Sequence, residues 1–162
     1  PPPVASGPPP ASVGLPVRIV IPSVGIDAAV EQVGLADDGS MATPQNPWNT
    51  GWYAPGTRPG QPGNAAIDGH VDYHGIGEVV FWNLRQVQPG AEVLVVTSDN
   101  QTLRFVVTSI ARYSPDNAPL ASIFGPASTP NLNLITCDGT FNPDTRHYDL
   151  RFIVYTTYAG KQ

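Results

Sequence analysis

Residues 132–157 read LNLITCDGTFNPDTRHYDLRFIVYTT, and this stretch decides the fold. Two apolar segments, 132–137 and 148–157, are rich in the β-branched and aromatic residues that favour strands. The segment between them, 138–147, contains the Gly, Asn, Asp and Pro residues typical of turns. The stretch therefore predicts an antiparallel hairpin.

The hairpin places Cys137 opposite Arg151. Residues that face each other on one side of an antiparallel pair have Cβ atoms about 4.5–5.5 Å apart. The Arg151 guanidinium is therefore expected to reach the thiol, or an oxyanion formed next to it. The alternative is an exposed strand arginine that lies over apolar neighbours.

Short apolar runs broken by Gly, Pro, Asn and Asp continue through most of the chain, which is typical of an all-β domain. Two segments, 79–84 and 119–124, are expected to be single helical turns, the second starting with a proline. The pattern is consistent with a barrel or a sandwich. Besides the hairpin, the predicted strands are 17–21, 28–33, 64–71, 92–97 and 103–111.

Length and composition indicate one domain, since the chain has 162 residues, of which 41% are hydrophobic. A formal charge of -5 argues against a nucleic-acid partner. Residues 1–15 are rich in proline and are expected to form an extended linker before a domain at 16–162. The first residue is not methionine, so we expect a membrane anchor upstream of this chain.

Cys137 is the single cysteine, which excludes an intrachain disulfide and a cysteine-based zinc cluster. It ends a predicted strand and precedes a turn that contains glycine, a position that suits a nucleophile. The alternative is a small buried residue that serves only packing.

His70 also follows an apolar segment, and its imidazole suits a general acid and base. The alternatives are a structural or surface histidine, or a metal triad in which His70, Asp72 and His74 share one strand face. His147 lies in the predicted hairpin loop and is a weaker candidate.

Together these residues resemble the sortase family, which has a histidine, a cysteine and an arginine in this order. The resemblance rests on Asp68-Gly-His70, on Leu134-Ile-Thr-Cys137 and on Arg151 before a β-strand, and it runs from about residue 17 to residue 158. Among the sortase classes it is nearest to class F, with Gly69-His-Val-Asp72 and Thr136-Cys-Asp-Gly139 as cues.

The resemblance implies a closed eight-stranded β-barrel with one or two short helices, and a cysteine transpeptidase that acts on a Leu-Pro-x-Thr-Gly sorting signal. It implies that Cys137 attacks the signal's Thr carbonyl, that His70 protonates the leaving amine and that Arg151 stabilises the oxyanion. Arg146 is an outside candidate for the arginine role. Thr136 and residues 114–129 are expected to line the signal groove.

The expected partners are secreted proteins that carry sorting signals and an amine acceptor from peptidoglycan or pilin. We expect a monomer at the extracellular face of the membrane of a Gram-positive-type bacterium, with no cofactor and no metal. Two alternative functions stay open: a hydrolytic cysteine peptidase, and a non-catalytic surface β-barrel that binds a partner.

Overall fold

The computed structural model describes residues 2–3 and 13–162 of the chain. These residues form mainly β-strands, with one short α-helix and three short 3-10 helices. The strands are β1 (Pro16–Ile21), β2 (Ile26–Val33), β3 (Thr50–Tyr53), β4 (Gly63–Asp68), β5 (Asp72–Tyr73), β6 (Gly77–Glu78), β7 (Glu92–Thr97), β8 (Thr102–Tyr113), β9 (Pro130–Asn142) and β10 (His147–Lys161), and the helix is α1 (Leu120–Phe124).

Eight of the strands close into a barrel in the order β1-β2-β3-β4-β9-β10-β8-β7, which confirms the barrel and excludes the sandwich. Two neighbouring pairs, β2 with β3 and β4 with β9, are parallel, and the others are antiparallel. The remaining strands, β5 and β6, form a small separate hairpin directly after β4.

Side chains alternate between the inside and the outside of the barrel, because successive residues of a strand point to opposite faces. Leu132 and Leu134 of β9 point inward and join Phe152 in the main core, each at most 1% exposed. A second apolar cluster covers the outer face of β4, β9 and β10, under α1. Its buried members are Tyr53, Ala66, Ile123, Phe124 and Ile153.

The predicted strands are present, with bounds that differ by a few residues. The segment predicted at 64–71 ends as a strand at Asp68. After Gly69 the chain leaves the sheet, and the carbonyls of His70 and Val71 accept from the N–H groups of Phe81 and Val79. β3 was not predicted, since all four of its residues are buried and they show no alternation of polar and apolar side chains.

The prediction of a hairpin loop over 138–147 is wrong in length. β9 extends to Asn142 and β10 begins at His147, so the turn between them has four residues, 143–146. Pairing extends this far because the rings of Phe141 and Tyr148 pack together with centroids 5.3 Å apart. Of the two predicted helical turns, 119–124 is α1 with Pro119 at its N-cap, and 79–84 is a 3-10 turn shifted to Trp82–Gln86.

Most of the linker predicted at 1–15 lies outside the described residues, so the linker stays a prediction. Within the described part, Val13 and Leu15 pack against the main core. Pro2 is buried, and its carbonyl accepts a 3.2 Å hydrogen bond from Tyr53 Oη. No helix of the described part of the chain has the length and apolar character to cross a membrane.

Candidate active site

Cys137 and Arg151 are directly opposite each other in the β9–β10 pair, in the register expected from the sequence. Both are half-buried on the outer face of the barrel. Arg151 Nη1 donates to the carbonyls of Tyr148 and Leu150, each at 3.2 Å. These bonds to its own strand restrain the guanidinium on the face that carries the thiol.

His70 reaches the same end of the barrel through the parallel pairing of β4 with β9. In that pair Asp68 is level with Ile135, and continuing the register by two residues brings His70 level with Cys137. Gly69 holds the chain there, because its N–H donates to the Ile135 carbonyl at 3.1 Å. The sheet therefore brings His70, Cys137 and Arg151 to one end of three adjacent strands.

The imidazole of His70 has its own support from the segment between β2 and β3. His70 Nε2 lies 3.3 Å from the Pro44 carbonyl, and the ring meets Tyr73 edge-on at 5.4 Å. The segment that carries Pro44 is held in turn by Glu31, whose carboxylate accepts from the N–H groups of Gln45 and Asn46. This support was not predicted, because nothing in the local sequence pattern links Glu31 to His70.

The thiol is in an environment that favours its neutral form. Burial raises the pKa of Cys137 above its usual range, and the Arg151 charge acts in the opposite direction. The carboxylates of Asp72 and Asp68 add to the rise. The surroundings of Cys137 therefore favour the thiol over the thiolate, and a base that takes the proton makes it a nucleophile.

Thr136 is almost fully buried, with 3% of its surface exposed. Its hydroxyl donates to the Gly69 carbonyl at 2.7 Å, which ties β9 to the residue before His70. The structure thus gives Thr136 a role in positioning the histidine, and its contact with substrate stays a prediction.

The weaker candidates lie apart from this site. His74 and His147 are exposed, and the part of the chain that the structure describes contains no group of three His, Cys, Asp or Glu side chains able to hold a metal. Arg146 is exposed at the hairpin turn, five residues along β10 from Arg151, which is roughly 16 Å in an extended strand.

The site combines a thiol that can act as nucleophile, an imidazole that can act as its base and a guanidinium that can stabilise an oxyanion. These are groups that a cysteine-dependent acyl transfer uses. The family model described as the sortase domain matches residues 19–159. The chain belongs to the sortase family. Members of this family are cysteine transpeptidases.

Solved sortase structures share the fold of this sortase at low sequence identity. Sortase A from Corynebacterium diphtheriae, a lid mutant, superposes with a TM-score of 0.69 at 18% identity, covering 92% of this chain and 72% of that one. Sortase A of Listeria monocytogenes gives 0.68 at 17% identity, with coverages of 92% and 90%. Sortase C-1 from Actinomyces oris gives 0.68 at 23% identity, with coverages of 89% and 72%. No curated protein matches the sequence significantly.

This sortase also has a charged cluster beside Cys137 that was not predicted. Asp138 pairs with Arg112 (Nε to Oδ2, 2.5 Å) and with Arg85 (Nη1 to Oδ1, 3.5 Å). Burial opposes ionisation of Asp138, but the hydrogen bond and charge of Arg112, helped by Arg85, hold its pKa below the usual range. The negative charge next to the thiol is thereby compensated.

The segment 114–129, expected to line the signal groove, covers part of the outer face through α1. The side-chain amide of Asn133 in β9 holds α1 against the barrel, because it donates to the Ser122 and Ile123 carbonyls near the end of the helix. On the same outer face as Cys137, the second apolar cluster includes Ile135, which is half-buried, and Ile153, which is fully buried.

Proposed function

We propose that this sortase cleaves a Leu-Pro-x-Thr-Gly type sorting signal between Thr and Gly, and transfers the protein that carries it to an amine. The observation that carries the proposal is the strand register that brings Cys137, Arg151 and His70 to one end of the outer face. The half-buried side chain of Ile135, two residues before Cys137 on the same strand face, offers an apolar contact for the Leu or Pro of such a signal.

In the first step Cys137 Sγ attacks the Thr carbonyl carbon while His70 accepts the thiol proton. The carbonyl oxygen becomes an oxyanion, and the Arg151 guanidinium stabilises its charge. When the intermediate collapses, the Thr–Gly C–N bond breaks and His70 returns the proton to the glycine nitrogen. The products are a Cys137 thioester and a free glycine amine.

In the second step an acceptor amine attacks the thioester carbonyl. His70 accepts a proton from the amine nitrogen, the C–S bond breaks, and the proton passes to the Cys137 thiolate. A new amide bond is formed and the enzyme returns to its starting state. The raised pKa of Cys137 supports a base in the first step, and the register that brings His70 level with Cys137 supports His70 in that role.

We further assign the enzyme to class F, on the motifs Gly69-His-Val-Asp72 and Thr136-Cys-Asp-Gly139. Its acceptor is an amine of peptidoglycan or of a pilin subunit. It works as a monomer, anchored at the extracellular face of the membrane by a segment upstream of this chain.

The test is mass spectrometry of the protein incubated with a Leu-Pro-x-Thr-Gly peptide and a glycine-based amine, comparing the wild type with Cys137→Ala. We expect a thioester adduct on the wild type and an amine-linked peptide product, and neither with Cys137→Ala. Circular dichroism serves as the control that the variant is folded.

The other outcomes separate the alternatives. Cleavage that added amine does not divert would favour a hydrolytic cysteine peptidase. No adduct with any of a panel of signal variants would overturn the catalytic proposal and favour a binding module.

A further inference from the structure

A side-chain hydrogen bond joins the two sides of the candidate site. Tyr148 Oη donates to Asp72 Oδ2 at 2.6 Å. Asp72 begins β5, two residues after His70, and Tyr148 is in β10, three residues before Arg151. The bond therefore links the segment that carries the imidazole to the strand that carries the guanidinium.

Tyr148 contacts the arginine as well. Its backbone carbonyl accepts one of the two hydrogen bonds from Arg151 Nη1. Its ring is half-buried and packs against Phe141. Tyr148 thus contacts Asp72 through its hydroxyl and Arg151 through its backbone carbonyl.

The segment that follows His70 lies outside the barrel sheet, so the bond to Tyr148 adds to the core packing of Val71 and Phe81 in holding it. Among residues 2–3 and 13–162, β5 pairs only with β6 in a separate two-stranded sheet, and most residues of that small hairpin are exposed. The N–H groups of Phe81 and Val79 donate to the carbonyls of His70 and Val71, so these backbone bonds stay within the segment 70–81. Asp72 provides a side-chain contact from this segment to β10.

The phenol is suited to a permanent donor role. Burial, and then the hydrogen bond to Asp72, raise the pKa of Tyr148 to about 12. The hydroxyl therefore stays protonated over the range in which an enzyme works, and the bond to the carboxylate is charge-assisted and correspondingly strong.

We propose that Tyr148 and Asp72 are positioning residues, which hold the segment carrying His70 at its working distance from Cys137 and Arg151. The inference rests on the proposed function of the three residues that they position. Misplacement of a catalytic group by about 1 Å can cost up to 100-fold in rate. Loss of the link should therefore lower turnover without weakening the binding of the signal.

The experiment measures kcat and KM for the signal peptide with Tyr148→Phe, Asp72→Ala and the double variant. We expect kcat to fall about tenfold for each single variant, with KM within twofold of the wild type. The double variant should be no slower than the slower single variant, because both substitutions break one bond.

Two further variants separate the hydrogen bond from other effects. Asp72→Asn keeps an acceptor oxygen for Tyr148 while removing the charge, and should retain most of the wild-type kcat. Tyr158→Phe removes a hydroxyl from the same strand far from Cys137, and should leave kcat and melting temperature unchanged. Hydrogen exchange of residues 69–79, which needs no turnover, should become faster in Tyr148→Phe and stay unchanged in Tyr158→Phe.

A kcat within twofold of the wild type for Tyr148→Phe would overturn the positioning role, as would fully additive effects in the double variant or unchanged exchange of residues 69–79. Failure of the proposed function gives a different result: Cys137→Ala then forms the same products from the signal peptide as the wild type. If Cys137→Ala is inactive while Tyr148→Phe is unaffected, only the positioning role fails.

Discussion

Gly69 lies so close to Phe81 that a Cβ at position 69 would come within 2.6 Å of Phe81 Cδ2. Phe81 is fully buried in the main core and cannot move without disturbing it. The residue before His70 is therefore confined between the core and β9. A side chain at this position must displace either the phenylalanine or the histidine.

We expect Gly69→Ala to lower activity strongly and stability moderately. Overpacking of this kind typically costs about 1–3 kcal/mol, and any backbone shift moves His70 directly. Peptide turnover and thermal unfolding measure the two effects. The matched control is Gly34→Ala, where an added Cβ meets nothing within 4 Å, so both measurements should equal the wild type. Full activity in Gly69→Ala would contradict the confined position of His70.

Arg151→Lys is expected to lower kcat by about 100-fold, although it keeps the charge. Arg151 orients its guanidinium through bonds to the Tyr148 and Leu150 carbonyls, and a lysine ammonium has a different shape and reach. Loss of one oxyanion donor typically costs 100- to 1,000-fold. Arg146→Lys, at the hairpin turn, is the control and should be as active as the wild type. A larger loss in Arg146→Lys would transfer the role to that arginine.

The pH dependence of thiol alkylation should reveal the environment of Cys137. Burial raises its pKa, so the iodoacetamide rate should reach its midpoint above the value of about 8.5 that is usual for a free cysteine. Removing a negative neighbour with Asp72→Asn should lower the midpoint, and removing the cation with Arg151→Ala should raise it. A wild-type midpoint below about 8.5 would indicate a preformed thiolate instead.

We expect the buried carboxyl of Asp68 to lower the free energy of unfolding as the pH rises. The residue is 7% exposed, its Oδ1 has no hydrogen-bond partner among the described residues, and burial raises its pKa well above the usual value. The folded state therefore holds a proton that the unfolded chain loses near pH 4, so stability falls as the pH rises from there toward the folded pKa.

Asp68→Asn removes this titration and should raise the melting temperature at pH 7–8, with a difference that shrinks toward pH 4. Melting curves from pH 4 to pH 8 test this. As a control, Asp116→Asn makes the same chemical change at an exposed residue in the 3-10 turn of segment 114–129. A wild type that gains stability with rising pH relative to Asp68→Asn would contradict the expected sign.

The strands and the Cys137–Arg151 pair were predictable because both depend on local patterns, whereas the choice of a closed barrel over a sandwich came from the family resemblance. Alternating apolar residues define β9 and β10, and a hairpin between them sets which residues face each other. His70 needed the family resemblance, since parallel pairing of β4 with β9 joins segments far apart in the chain. That pairing leaves no local signal.

The supporting contacts were not predictable for the same reason. Tyr148 with Asp72, and Asp138 with Arg85 and Arg112, join polar residues from distant segments. In sequence they are indistinguishable from ordinary surface residues. Only the closed barrel brings them together.

The β9–β10 hairpin divides the region around Cys137 into parts with different tolerance for insertions and deletions. The turn 143–146 lies beyond the paired residues, so its length can change during evolution, or by grafting of a foreign loop, without moving Cys137 or Arg151. One residue added within β10 next to Arg151 would instead turn the guanidinium toward the barrel interior. The tip of this hairpin is therefore where length variants, affinity tags or new recognition loops can be introduced into the enzyme.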